Sequence, residues 1–306
     1  MPVTLCDLAA KLPLVIGRFL DRERLLQRGR FGETTMTDIF TTALTAFAGP
    51  ELLIEYPPET ETGGDVDLVF ANLRSGWSLN ARLQAKRLSA ERQAGKPVKI
   101  EHRNFSELLH KPKRATQYQY QTLVNAPDPW IPLYMLYNHH SVAGHAHFAT
   151  AGPKVSGVNL AFAFDIADEL DAKVSAAATK PKKILHHKRL SHLRPHLFGL
   201  DVILCPAGNW DRSSVPPPEA VAESLLRQWN IAGEHELRTE DVDTVLRKLL
   251  QPARLTGGRQ EEQLFTDGPS VRINERLQRP RITLLSGRTA DDNGPVINDN
   301  DGRDPQ

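Results

Sequence analysis

The sequence predicts an α/β fold: a mixed sheet flanked by helices, with further α/β elements in the C-terminal half. Three observations point there. Residues 34–47 have helical apolar spacing, three strand-like runs follow between residues 51 and 86, and another helical stretch leads to a compact apolar run at 131–137. The predicted order is therefore helix, three strands, helix, strand.

Each element has its own warrant. Residues 12–27 place Leu14, Val15, Phe19, Leu25 and Leu26 at helical spacing, which predicts an amphipathic helix before Gly29 and Gly32 interrupt it. In residues 34–47, Met36, Ile39, Phe40, Ala43, Leu44 and Phe47 share one side, and Gly49-Pro50 ends the helix. Strands are predicted at 51–56, 65–70 and 78–86. The second sets Val66, Leu68 and Phe70 against Asp65, Asp67 and Val69 with a period of two. Pro57-Pro58 and Thr62-Gly63-Gly64 mark the turns between them. A helix rich in Leu, Gln and Tyr is predicted at 105–124, and the 131–137 run reads as a buried strand. Further on, the reading is strands at 158–164 and 200–205 around a helix at 166–177, then helices at 216–229 and 240–250. After about residue 286 the chain turns to Asp, Asn, Gly and Arg, which predicts disorder. The chain divides into a helical segment (1–30), a core (31–140), an extension of sheet and helices suited to specificity or sensing (141–252) and a mostly disordered tail (253–306).

Composition narrows the class. A net charge of +1 with 40% hydrophobic and 25% charged residues is ordinary for a globular protein. No run reaches the roughly 18 apolar residues of a membrane helix, and residues 1–12 lack a secretion-signal pattern, so a cytoplasmic protein without a membrane partner is expected. Only Cys6 and Cys205 occur, far apart in sequence, which argues against a disulfide scaffold or a Cys-rich zinc module. The charge is unevenly spread. Residues 82–114 carry ten Lys and Arg against Glu91, Glu101 and Glu107, and residues 180–194 carry Lys182, Lys183, Lys188 and Arg189 among others with no carboxylate. Such blocks can follow a phosphate backbone or can be solvated helix faces. His186 and His187 read as part of the second block. His139, His140, His145 and His147 read as a polar loop after a buried strand rather than a zinc site, having no acidic or Cys ligand beside them.

The sharpest chemical signal is Asp65-Val66-Asp67 at the head of one strand and Gln84-Ala85-Lys86 at the end of the next. Alternation puts Asp65 and Asp67 on one face, and Gln84 and Lys86 on one face. Charges among apolar strands are costly unless paired or used. A carboxylate and an amide oxygen suit a hard cation such as Mg²⁺, and a lysine can position an attacking water and stabilise charge on a phosphate.

With Glu33 ahead of the first core helix, this order resembles the PD-(D/E)XK, or restriction-endonuclease-like, nuclease superfamily. Within it the chain is similar to the Mrr-like and Cap4-like domains of bacterial defence loci, and most to the DUF6615 group. The resemblance rests on Glu33-Thr-Thr-Met-Thr-Asp38, Thr62-Gly63-Gly64-Asp65, Leu83-Gln84-Ala85-Lys86-Arg87-Leu88 and Ile131-Pro132-Leu133-Tyr134-Met135-Leu136-Tyr137-Asn138. It implies a restriction-endonuclease-like core over residues 31–140 and a DNA nuclease dependent on Mg²⁺ or Mn²⁺, serving anti-phage defence with partner proteins of a defence operon. Carried over, Asp65 is the principal metal ligand, Glu33 completes the site directly or through water, Gln84 is the third-strand ligand and Lys86 the catalytic lysine. Asp67 shares the face of Asp65 and stays open as the alternative ligand. Arg87, Gln121, Lys182, Lys183, Lys188 and Arg189 are the expected nucleic-acid contacts. Gln84 stands where Glu is more usual, which keeps open a degenerate nuclease fold that binds nucleic acid or a partner protein. RNA is the other substrate class left open, and cutting two strands implies a homodimer.

Overall fold

A computed structural model of the chain describes residues 3–26, 31–46, 51–57, 65–89, 92–93, 96–113, 115–125, 130–150, 152–179, 186–232, 246, 248–253 and 270–287. The chain opens with α1 (Leu5–Arg22) and α2 (Glu33–Leu44), followed by β1 (Leu52–Tyr56), β2 (Val66–Asn72) and β3 (Trp77–Arg87). A small hairpin pairs β4 (Arg92–Gln93) with β5 (Lys96–Pro97). Then come α3 (Gln119–Val124), β6 (Trp130–Tyr137), α4 (His140–Ala143), β7 (Val158–Phe162), α5 (Ala163–Thr179) and α6 (Leu190–Leu193). The last elements are β8 (Phe198–Gly199), α7 (Asp201–Leu204), α8 (Pro218–Ala232), β9 (Gln251–Pro252), β10 (Ser270–Ile273) and β11 (Arg281–Ser286).

The strands form a mixed open sheet in the order β10-β1-β11-β2-β3-β6-β7-β8, with β9 pairing the start of β3. Residue alternation along the strands supplies both faces. Leu133, Met135 and Tyr137 of β6 join the core under α1, α2, α7 and α8, whereas Tyr134 and Leu136 join the core under α3, α5 and α6. The helices therefore sit on both faces, as an α/β class requires.

Helix α1 starts seven residues before its predicted start. Thr4 caps it, accepting from the Asp7 N–H while Asp7 accepts from the Thr4 N–H, and its buried stripe is Leu5, Leu8, Leu12, Ile16 and Leu20. The loop into β7 crosses this helix closely: a Cβ on Gly157 would lie 1.7 Å from the Pro13 carbonyl oxygen, so only glycine fits there.

Several expectations are corrected. The predicted helix at 105–124 is a 3₁₀ turn at Ser106–Leu109 and then the short α3, because Pro112 and polar residues separate the two apolar groups. Residues 200–205, expected as a strand, form α7 instead; Ile203 and Leu204 bury one turn of helix, and a short apolar run does not distinguish the two periods. The predicted helix at 240–250 lies mostly outside the described residues. The stretch 253–306 contains β10 and β11, so residues 270–287 are sheet and not tail; residues 288–306 lie outside the described residues. Cys6 and Cys205 form a disulfide, since α1 and α7 pack against each other. Sequence distance carried no information about that contact, and the expectation that the two cysteines form no disulfide is corrected. Among the described residues no helix is long and apolar enough to cross a membrane.

Strand β11 pairs antiparallel with β1 and parallel with β2, burying Ile282, Leu284 and Leu285. Each such side chain contributes roughly 1.5–3 kcal/mol, together comparable with the ~5–15 kcal/mol that holds a typical domain. A chain ending at residue 269 should therefore lose its cooperative thermal transition by circular dichroism. A melt close to that of the full chain would show that β1 and β2 do not need β11.

Candidate active site

The site lies where β2 begins and β3 ends. These strands are antiparallel, with Val66 opposite Leu83 and Asp67 opposite Arg82. The register sets Asp65 beside Gln84, and the parallel pairing of β3 with β6 sets Gln84 beside Tyr134. Glu33, the first residue of α2, comes to the same end of β3. Its Oε2 lies 3.3 Å from Lys86 Nζ, and its Oε1 accepts from the Arg87 backbone N–H at 3.1 Å. Lys86 is buried at 3% exposure and its terminus is fixed by that carboxylate.

The two carboxylates that the sequence left open have different surroundings. Asp67 is buried in a two-pronged ion pair with Arg82, Nε to Oδ1 2.8 Å and NH2 to Oδ2 3.0 Å. Arg82 in turn lies 4.6 Å over the Trp130 ring. Asp65 has no such committed partner: Arg279 stands 3.9 Å away, and Gln84 supplies a side-chain hydrogen bond. Burial pushes the Asp65 carboxyl up to about 6, against the pull of Lys86, Arg279 and Gln84 and with a further push from Glu33.

Two buried polar atoms beside Asp65 lack hydrogen-bond partners, the Gln84 Oε1 and the Tyr134 hydroxyl. Burial, then the Asp65 charge, raises the Tyr134 pKa above its usual value. Unpartnered buried polar atoms are uncommon and ask for an explanation. A carboxylate short of positive charge next to an amide oxygen without a donor fits an oxygen-seeking divalent cation. Asp65 and Gln84 would hold it.

The expected nucleic-acid contacts fare unevenly. Arg87 forms a buried ion pair with Glu23, which fixes α1 to the end of β3. Gln121 folds back on its own helix, Oε1 accepting from the Tyr118 N–H at 3.0 Å. Lys188 donates to the Ser106 carbonyl at 2.8 Å, and Arg189 is half-buried and bridged through its backbone to Asn104. Lys182 and Lys183 lie outside the described residues. In the 139–147 segment His139 docks on Asp21 of α1 (3.5 Å), and the same carboxylate accepts from the Ser141 N–H and hydroxyl.

Sequence reading missed Arg279 and Tyr134. Tyr134 was hidden inside an all-apolar strand, with only its position opposite Gln84 to mark it. Arg279-Pro280-Arg281 runs into the alternation Ile282, Thr283, Leu284, a strand signal overlooked beside the polar residues that follow.

A family model described as a family of unknown function (DUF6615) matches residues 5–291. No curated protein matches the chain, and no solved structure does.

The raised Asp65 carboxyl has a sign that can be tested. Its unfolded pKa is near 3.8 and its folded value about 6, so folding favours the protonated form. Below pH 4 this costs nothing; as pH rises from 4 to 6 the fold loses stability, by on the order of 3 kcal/mol at about 1.4 kcal/mol per pKa unit. In the presence of EDTA, Asp65→Asn should melt higher than the parent at pH 7.5, with the gap closing as pH falls to 4. A gap independent of pH would show that Asp65 ionises normally.

Proposed function

The chain belongs to the DUF6615 family, and we propose that it is a metal-dependent nuclease that hydrolyses phosphodiester bonds of DNA. One observation carries the reading. Asp65, a Gln84 oxygen with no donor and Lys86 held by Glu33 meet at one end of two paired strands. The order α2, β1, β2, β3, α3, β6 supports a restriction-endonuclease-like core, with β11 as an added strand between β1 and β2.

Asp65 and Gln84 hold the cation, and Asp67, occupied by Arg82, serves the sheet. Mg²⁺ or Mn²⁺, when bound there, supplies Lewis-acid charge to the scissile phosphate. Lys86 orients the attacking water and stabilises negative charge that grows on the phosphoryl oxygens. Glu33 is a positioning residue: it takes one Lys86 proton donor and one backbone donor, so the ammonium keeps a single direction. Arg279, beside Asp65, is placed to take a non-bridging phosphate oxygen. Lys188 and Arg189 would meet the duplex away from the reacting phosphate, and Lys182 and Lys183 of the same basic stretch would be further duplex contacts. A defence role, partner proteins of a defence operon and a homodimer that cuts both strands extend the same reading.

A second reading, a binding module on a degenerate nuclease fold, is favoured by one feature, the neutral Gln84 where a second carboxylate would strengthen cation binding. Plasmid DNA and RNA incubated with Mg²⁺, Mn²⁺ or EDTA separate the two. The parent should cut DNA only with a divalent cation, and Asp65→Ala should lose cation binding and cutting together. Folded Lys86→Ala should cut several-hundred-fold more slowly, about 3–4 kcal/mol in the barrier, while binding DNA normally. Undiminished cutting by that variant would remove Lys86 from the mechanism and return the chain to the binding-module reading.

A further inference from the structure

Away from Asp65, the described residues contain one grouping of imidazoles and carboxylate with converging donor atoms. Those of Glu169, His187 and His192 all lie within 4.8 Å of one another. His187 Nδ1 is 2.9 Å and His192 Nε2 2.6 Å from the same Glu169 oxygen, Oε2. A third imidazole approaches the other oxygen, His196 Nε2 at 3.7 Å from Oε1. The histidines are spaced His-x₄-His-x₃-His along the 186–196 segment, and Asp165 and Glu169 are one turn apart on α5.

We propose that Glu169, His187, His192 and His196 form a zinc site that staples the basic 186–196 segment to α5. Three imidazoles and one carboxylate are a donor set suited to Zn²⁺ and unsuited to Mg²⁺ or Ca²⁺. Ligands at about 2.0–2.2 Å from a tetrahedral zinc stand roughly 3.3 Å apart. The Glu169 oxygens are 2.6–3.7 Å from the three imidazole nitrogens and the Glu169, His187 and His192 donors lie within 4.8 Å of one another, so side-chain rotations that bring His196 in beside them would seat the ion. Asp165 adds an independent observation. Its Oδ2 is buried without a hydrogen-bond partner and faces His196 Nδ1 at 4.0 Å. That is the placement of a carboxylate that orients a ligating imidazole through its second nitrogen. The five side chains are each partly exposed, which leaves an ion a way in. The role is structural: four protein ligands close the coordination sphere, and none belongs to the Asp65 site.

The test uses the full chain, purified without a histidine tag and stripped with a chelator. Zn²⁺ is titrated against a chromophoric chelator, in the parent and in Asp65→Ala, so that failure of the nuclease reading and of this one are separable. One equivalent should bind in both, unaffected by excess Mg²⁺, and should raise the melting temperature. Asp165→Asn should weaken binding by about 10–100-fold, as loss of an orienting partner does, and His192→Ala and Glu169→Gln should weaken it more. Should a ligand variant fail to fold, Co²⁺ in the parent gives the second readout, an intense visible spectrum of tetrahedral cobalt. Absence of binding, an octahedral Co²⁺ spectrum, or binding that survives His192→Ala would each show that these residues only hydrogen-bond to one another.

Discussion

Charge buried on the faces of the sheet is the constraint around which the molecule is arranged. Glu55, Asp67 and Lys86 are nearly inaccessible on strands of one sheet, as is the polar Gln84, and there an unpaired ion would cost several kcal/mol. Most are answered by partners from distant sequence. Glu55 takes Arg272 of β10 and Asn274 just beyond it, with contacts of 2.7–3.0 Å. Asp67 takes Arg82, and Lys86 takes Glu33. These pairs do not make the fold more stable than apolar residues would, but removing one member strands the other. They therefore specify which strands lie side by side. Asp65 and Gln84, by contrast, have no such committed partner, and that asymmetry between Asp65 and Asp67 marks the site more sharply than any single distance.

The same pairs explain the dependence of the N-terminal half on the far end of the chain. β1 and β2 are close in sequence but do not pair; β11 lies between them, and β10 flanks β1. The chain must be nearly complete before its central sheet can close, a topology dominated by contacts of long sequence separation. The Cys6–Cys205 disulfide spans 199 residues and joins α1 to α7 on one face, and in the chain-entropy view its main effect is to restrict the unfolded ensemble. A boundary near residue 140 or 252 would cut through one sheet, since strands from both sides of each pair within it.

What was legible in the sequence had local causes. Val66, Leu68 and Phe70 alternate against polar neighbours, so β2 was readable, and with it the shared face of Asp65, Asp67, Gln84 and Lys86. Met36, Phe40 and Leu44 repeat at helical spacing, and α2 followed. The misreadings have tertiary causes. Leu200, Val202, Ile203 and Leu204 give an apolar run too short to show either period, and only packing against α1 and α8 decides for helix. β11 is a clear strand by its alternation, yet the polar residues after it dominated the window. His187 looked like one more member of a basic block because Glu169 lies 18 residues upstream on another element. Pairing across elements, whether Cys6 with Cys205 or Glu169 with His192, leaves no trace in spacing.

Asp65 and Asp67 show how far periodicity alone can go. They are the same residue type, two positions apart, on one strand face, and no pattern separates them. Their neighbours do. Asp67 sits two pairs further into the sheet, between Arg82 and the β11 residue Arg281 in register, and its charge is neutralised on the spot. Asp65 sits at the strand's mouth, where the cross-strand partner is the neutral Gln84 and the nearest guanidinium is 3.9 Å off. Two steps along one strand face thus separate a structural carboxylate from a poised one. The extent of the poise follows from which partner β3 presents. With an arginine at position 84, Asp65 would be neutralised as Asp67 is; with a glutamate, a second buried carboxylate beside it would cost the fold more. Glutamine is the intermediate solution. It leaves Asp65 ionisable near neutral pH and adds an acceptor without adding charge, so the pair can stay buried in the folded chain without a second carboxylate beside it.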